Sequence, residues 1–153
     1  ENLVELISVF PRVNLLSTKQ QGKKHALMAG IEKAQYDYIL CTDVDCKPLS
    51  NDWIRTMIDY SVDHSAVIGY SPYKKLSGLL NLLIRFETLM TGIQYLSWAI
   101  KGRPYMAVGR NLLYPKALFL EVQPFNKHQQ LPYGDDDLGL QACSDKADIN
   151  VCL

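Results

Sequence analysis

The sequence lacks an excess of charge of either sign, because 16 Lys and Arg residues are balanced by 16 Asp and Glu residues. Proteins that bind nucleic acid usually present a strongly basic surface. A neutral chain has no net field that attracts nucleic acid or anionic lipid. We therefore expect no nucleic-acid partner.

Closely spaced cysteine pairs are also absent. The four cysteines stand at positions 41, 46, 143 and 152, and no two are separated by the two residues typical of zinc sites and redox motifs. The acidic start has neither an initiator Met nor the basic region of a signal peptide. We expect four reduced thiols in a cytosolic setting, and a chain that begins inside a longer protein or after processing.

The sequence has no uncharged hydrophobic run long enough to cross a bilayer. Leu79–Ile100 comes closest, but Arg85 and Glu87 interrupt it. The pattern instead predicts a long helix over about residues 76–100, buried or lining a groove.

Strand-like and helix-like segments alternate along the chain, which is typical of an α/β fold with a mostly parallel sheet. Its 153 residues, 48% of them hydrophobic, suit a single domain. Helices are predicted from Lys23, after Ser50, over the long segment and from Asp135. Strands are predicted at residues 13–17, 36–42, 66–70, 105–109 and 149–152.

Two carboxylates stand at the end of the nearly continuous apolar run 36–42. Asp43 and Asp45 are two residues apart, so in an extended segment they point to the same side. Ligands of open α/β sheets bind at the carboxyl ends of strands, and Mg²⁺ or Mn²⁺ prefers oxygen ligands. The pair therefore predicts a cation or diphosphate site, with a simple turn before Pro48 as the alternative.

A second acidic cluster is formed by Asp135, Asp136 and Asp137. Adjacent carboxylates repel one another unless a cation or a helix N-terminus offsets their charge. The cluster is either the acidic first turn of a helix or a source of a general base that accepts a proton from an attacking hydroxyl.

Two further segments are candidates for ligand binding. Lys23 stands at the start of a predicted helix, where a cation is unfavourable unless an anion lies nearby. Gly109, followed by Arg110 and Asn111 after a predicted strand, suggests close approach of the backbone to a ligand. A solvated basic turn is the alternative for Lys23.

Taken in order, these segments resemble the inverting family 2 glycosyltransferases, which have the GT-A fold. The resemblance covers about residues 12–145, and the long helix is most similar to that of bacterial membrane-associated members. The matching parts are a Gly-Lys to Gly-Ile helix at 22–31, the Asp-x-Asp motif at 42–45, the aromatic Trp53, the Gly-x-Asn segment at 109–112 and an acidic motif at 134–136.

The resemblance implies a nucleotide-sugar donor, a saccharide or lipid-linked acceptor and a divalent cation, Mg²⁺ or Mn²⁺. Asp43 and Asp45 would hold the metal, and Asp43 would also bind the donor. The catalytic base is Asp136 or Asp135, with the Gly-Asp-Asp alignment favouring Asp136. The other donor-binding residues are Lys23, Arg110 and Asn111.

It also implies an enzyme of cell-surface glycan or glycolipid synthesis, in the cytoplasm at the inner face of the membrane. Residues 1–153 would then be a single partial catalytic domain with a Rossmann-like sheet flanked by helices and missing its first two strands. We expect such a chain to self-associate, and membrane association to come from segments outside it. A metal-dependent nucleotidyltransferase and an inactive binding module remain the alternatives.

Overall fold

The computed structural model describes residues 10, 12–18, 22–125 and 134–153, and for Asp135 it describes the backbone alone. The chain divides into two compact units, Glu1–Gln35 and Tyr36–Leu153. The single-domain organisation stays a prediction.

The first unit contains the predicted helix, α1, at Lys23–Lys33. Its last turn is closed by the N–H of Ala34, which donates to the carbonyl oxygens of Gly30 and Ile31. The strand predicted at 13–17 is wrong: these residues are exposed and pair with no described strand. An apolar run forms a strand only where a neighbouring strand forms hydrogen bonds with its backbone N–H and C=O groups.

The second unit is built on a four-stranded sheet in the order β1-β3-β2-β4. β3 runs antiparallel to both β1 and β2, while β2 and β4 are parallel. The sheet is therefore mixed, which differs from the mostly parallel sheet expected from the alternation of elements. The strands are β1 (Tyr38–Cys41), β2 (Ala66–Gly69), β3 (Leu112–Pro115) and β4 (Ile149–Cys152).

The strand predicted at 105–109 is also wrong, because β3 begins three residues later. The backbone N–H groups of Ala107 and Gly109 donate to the carboxylates of Asp137 and Asp136, so they do not join a sheet ladder. The chain then enters the sheet at Leu112, opposite Ile68 near the end of β2, and must run back along β2.

One edge of the sheet gathers the carboxyl ends of β1, β2 and β4 together with the amino end of β3; we call it the carboxyl edge. Within the described residues β1 has β3 as its one strand neighbour, and all four of its residues are half-buried. A nearly continuous apolar run such as 36–42 is typical of a strand that is covered on both faces of a parallel sheet. The absence of two further strands stays a prediction.

Helices cover both faces of the sheet. On one face α2 places Met57 against Val67 and Leu113. On the other, the rings of Tyr114 and Phe119 meet edge to face with centroids 5.0 Å apart, because alternate strand residues point to opposite sides. The helices are α2 (Trp53–Asp59), α3 (Leu79–Ile100), α4 (Lys116–Val122) and α5 (Asp135–Ser144), with a 3₁₀ turn at Val62–His64.

Among the described residues, no helix combines the length and the apolar character needed to cross a membrane.

The core of the second unit gives a first test. Leu113 is 1% exposed on the central strand β3, so Leu113→Ala leaves a cavity and should lower the free energy of unfolding by about 2–5 kcal/mol. Leu49 is 90% exposed, and Leu49→Ala should change it by less than about 0.5 kcal/mol. Urea denaturation measures both; equal losses would contradict the assigned core.

Candidate active site

Directly after β1 the chain makes a tight turn at residues 43–46. The N–H of Cys46 donates to the carbonyl oxygen of Asp43 over 3.1 Å. Ligand atoms of Asp43, Asp45 and Cys46 consequently lie within 4.8 Å of one another. The two carboxylates are close because the backbone turns, and not because the segment is extended, as the sequence argument had assumed.

The donor set of this turn fits a hard divalent cation. Two carboxylates supply the oxygen ligands that Mg²⁺ and Mn²⁺ prefer and leave the remaining positions to water or phosphate. The thiol of Cys46 is a softer ligand and lies 3.9 Å from Asp45 Oδ1, to which it donates. Asp43 and Asp45 are therefore the residues of this turn that would hold such an ion.

Asn111 connects three segments at the carboxyl edge. Its side-chain oxygen accepts a hydrogen bond of 2.9 Å from Trp53 Nε1, and its side-chain nitrogen donates to the carbonyl oxygen of Tyr70 over 3.1 Å. Its backbone carbonyl accepts from the N–H of Gly69 over 2.9 Å. The side chain thus positions the start of α2 and the end of β2, and direct contact of Asn111 with a donor stays a prediction.

Gly69 is required for this arrangement. A Cβ built on Gly69 would collide with the side-chain amide of Asn111. The amide can therefore reach across to Tyr70 only because the last residue of β2 has no side chain.

The acidic cluster opens α5, as the sequence predicted. Asp136 Oδ2 accepts a hydrogen bond of 2.9 Å from the N–H of Gly109, and Asp137 Oδ1 accepts one of 3.1 Å from the N–H of Ala107. The helix N-terminus favours these negative charges. The cluster is thereby attached to the segment that leads into β3 at the carboxyl edge.

Gly109 lies directly beneath the Asp136 carboxylate. A Cβ on Gly109 would collide with all three terminal atoms of that group. The glycine that the sequence associated with close approach to a ligand is in fact needed for close approach to a carboxylate of the protein itself.

Two predicted site residues lie outside this geometry. Only the backbone of Asp135 is described, as the first residue of α5. Lys23 begins α1 in the first unit, whereas the other site residues belong to the second unit. Their assignments as alternative base and donor-binding residue stay predictions.

Arg110 lines a pocket beside the carboxyl edge with a volume of about 240 Å³. Its guanidinium lies over the ring of Tyr73, 5.2 Å from the centroid, and its Nε is buried with no hydrogen-bond partner among the described residues. A buried guanidinium N–H without a hydrogen-bond partner is costly in free energy. The other lining residues used below are Tyr70, Glu87, Thr88, Thr91 and Tyr95.

Tyr95 is a buried residue that lines the same pocket. Burial raises its pKa to about 12, with Arg110 opposing and Tyr70 adding to the shift. The hydroxyl therefore stays protonated at ordinary pH and donates to the carbonyl oxygen of Gly69 over 3.1 Å.

Sequence reasoning did not find this pocket. A signal was present, since Thr88, Thr91 and Tyr95 recur at spacings of three and four and so share one side of α3. The segment was predicted as a helix that is buried or lines a groove, but Arg110, on the other side of the pocket, is distant from it in sequence.

The family model "Glycosyl transferase family 2" matches residues 1–119 of the chain. That range contains the 43–46 turn, Arg110 and Asn111, and it ends before the acidic start of α5. A comparison with curated proteins gave no match.

The contact between Gly109 and Asp136 gives a second test. Gly109→Ala forces the carboxylate away and should lower the free energy of unfolding by about 1–3 kcal/mol. The same change at Gly30, in α1 with no atom within 4 Å of the new Cβ, should stabilise by about 0.5–1 kcal/mol. Denaturant unfolding of both variants measures the difference; a neutral Gly109→Ala would contradict the observed packing.

Proposed function

Because the chain belongs to glycosyl transferase family 2, we propose that it carries the site where a sugar is transferred, with inversion, from a nucleotide-sugar donor to an acceptor hydroxyl. The observation that carries the proposal is the carboxyl edge. There the Asp43–Asp45 turn follows β1, while Asn111 and the Asp136–Gly109 contact stand at the entry to β3.

Asp43 and Asp45 are proposed to hold Mg²⁺ or Mn²⁺ together with the donor's diphosphate. A divalent cation bound there supplies positive charge that offsets the charge of the departing diphosphate. The carboxylates orient that charge towards the donor, and their turn is fixed by the hydrogen bond from Cys46 to Asp43.

Asp136 is proposed as the general base, with Asp135 as the alternative. The Gly109 N–H holds one oxygen of the Asp136 carboxylate and so fixes its orientation. The base accepts the proton of the acceptor hydroxyl while that oxygen bonds to the anomeric carbon from the face opposite the leaving group. The bond from that carbon to the diphosphate breaks, and the nucleoside diphosphate leaves with the electron pair.

The remaining predicted residues are proposed to bind substrate. Lys23 and Arg110 suit the anionic donor, and Asn111 positions the loops around it through its contacts with Trp53 and Tyr70. The Arg110 pocket has room for part of an acceptor, with aromatic rings and hydroxyls that suit a saccharide or its lipid link. We place the reaction in cell-surface glycan or glycolipid synthesis at the inner face of the membrane.

The released product distinguishes this function from its alternatives. With Mn²⁺ or Mg²⁺, an acceptor and a panel of nucleotide sugars, glycosyl transfer releases a nucleoside diphosphate. A nucleotidyltransferase acting on a sugar phosphate and a nucleoside triphosphate releases pyrophosphate, and a binding module releases neither. Asp136→Asn keeps an oxygen that can accept from Gly109 and should reduce transfer by at least about 100-fold with donor affinity unchanged.

Asp145→Asn is the matched control, because Asp145 lies exposed at the opposite end of α5 and should leave transfer unchanged. Loss of transfer in Asp135→Asn, with Asp136→Asn active, would move the base to the neighbouring residue.

Metal binding can be measured without turnover. Mn²⁺ titration followed by electron paramagnetic resonance should show weaker binding in Asp45→Asn by about tenfold, since one of two charged oxygen ligands is lost. Asp59→Asn, on the exposed end of α2, removes the same charge outside the turn and should bind Mn²⁺ like the unmodified protein. Equal affinity in all three proteins would contradict the assigned ligands.

A further inference from the structure

Three polar side chains of the Arg110 pocket have no hydrogen-bond partner within the described part of the chain: Glu87, Thr91 and Arg110. They differ from Thr88 in the same pocket, whose hydroxyl donates to the carbonyl oxygen of Ile84 over 2.8 Å. Polar groups that converge on a pocket and remain unpaired there are typical of a site that binds a polar ligand.

Opposite charges line this pocket without pairing. Glu87 lies on α3 and Arg110 just before β3, and neither forms an ion pair with the other or with any other described residue. Glu87 is exposed, whereas Arg110 Nε is buried and its guanidinium is held over the ring of Tyr73. The space between them suits a ligand that donates hydrogen bonds to the carboxylate and accepts them from the guanidinium.

The helix itself gives no reason for a carboxylate at position 87. Glu87 is the one acidic residue between positions 74 and 103 of the sequence. A carboxylate on a helix surface is often supported by a cation three or four positions away. The residues at those positions from Glu87 are Leu83, Ile84, Met90 and Thr91, none of which is a cation. The pocket is therefore the place where this charge can act.

Sugar hydroxyls fit this set of groups because a hydroxyl both donates and accepts hydrogen bonds. Two adjacent hydroxyls can donate to the two oxygens of Glu87, while hydroxyl oxygens accept from Thr91 and Arg110. The rings of Tyr70 and Tyr73 line the same pocket and offer apolar surface to the C–H groups of a sugar ring.

Other occupants fit less well. A phosphate would meet the unpaired negative charge of Glu87, and like charges placed together oppose binding. An acyl or prenyl chain would leave the polar groups of the pocket without partners. Sites for whole small-molecule ligands typically measure about 300–1,000 Å³, so a pocket of about 240 Å³ has room for one residue of a larger saccharide.

We propose that the Arg110 pocket binds one neutral sugar residue of the acceptor, and that Glu87 determines its specificity by accepting hydrogen bonds from two adjacent hydroxyls. The guanidinium of Arg110 has several N–H donors, so this contact is compatible with its proposed role towards the nucleotide sugar. Assigning the sugar residue to the acceptor rests on the proposed function, whereas binding of a sugar in this pocket does not.

Sugar binding can be measured without donor, metal or turnover. The probes are the methyl glycosides of glucose, galactose, mannose and N-acetylglucosamine, followed by saturation-transfer nuclear magnetic resonance and calorimetric titration. At least one glycoside should bind, and one of its monodeoxy analogues should bind at least about tenfold more weakly, because it lacks a hydrogen bond to a charged group. Absence of binding by all four glycosides would overturn the proposal.

The role of Glu87 is tested by Glu87→Gln, which keeps the size of an exposed side chain and removes its charge. This variant should bind the glycoside about tenfold more weakly and should lose most of the preference over the deoxy analogue. Glu121→Gln is the matched control, because Glu121 pairs with Lys146 over 3.3 Å on the surface of α4 and should leave both affinities unchanged.

The preference over the deoxy analogue distinguishes a direct contact from a structural effect. A pocket that is merely loosened loses affinity for the sugar and its analogue alike, so equal losses for both ligands in Glu87→Gln would overturn the assignment of Glu87. Equal binding by Glu87→Gln and Glu121→Gln would overturn it as well.

A short-chain prenyl phosphate and inorganic phosphate are the probes for an anionic occupant. Neither should displace the glycoside, since Glu87 opposes a second negative charge. Displacement by the prenyl phosphate alone would overturn the proposal and assign the pocket to a lipid link, and displacement by both would assign it to an oxyanion. Sugar binding that depends on Glu87, without glycosyl transfer in the complete reaction, would uphold this inference while the proposed function failed.

Discussion

The hydrogen bonds of Asn111 hold together the segments from which the candidate site is built. One side-chain amide joins Trp53 to Tyr70, and the backbone carbonyl of the same residue receives the N–H of Gly69. A single hydrogen bond contributes about 1 kcal/mol net, but a buried polar group left without its partner costs more. Losing this amide would therefore loosen the entry to α2 and the end of β2 together.

The acidic start of α5 is the acidic first helical turn that the sequence presented as one of two alternatives, and the general base is a proposal. Asp136 and Asp137 are favoured by the helix N-terminus, and they also bind the backbone of the segment before β3. The same contact that turns residues 105–109 away from the sheet fixes a carboxylate beside Arg110 and Asn111. The acidic first turn is compatible with the proposed base, because the contact with the Gly109 N–H holds the Asp136 carboxylate in a fixed orientation.

The two halves of α3 have different surroundings. Its buried residues all lie in the carboxyl-terminal half, which packs against β4. Thr88 and Thr91 line the pocket that Arg110 shares, while most of the large apolar side chains of the amino-terminal half are exposed.

Periodicity and local chemistry in the sequence determined α1, the helical start at Asp135, and the limits of β1, β2 and β4 to within a few residues. Such features depend on neighbours in the chain. Only the tertiary structure decided that 105–109 is not a strand, that β3 runs against its neighbours, and that Asn111 acts across the site. Those outcomes depend on which distant group accepts each hydrogen bond. Gly109 and Asp136, which form one of these bonds, are 27 positions apart in the sequence, and Trp53 and Asn111, which form another, are 58 positions apart. The apolar character of α3 was visible in the sequence, but an apolar pattern does not distinguish side chains packed in the core from side chains left exposed.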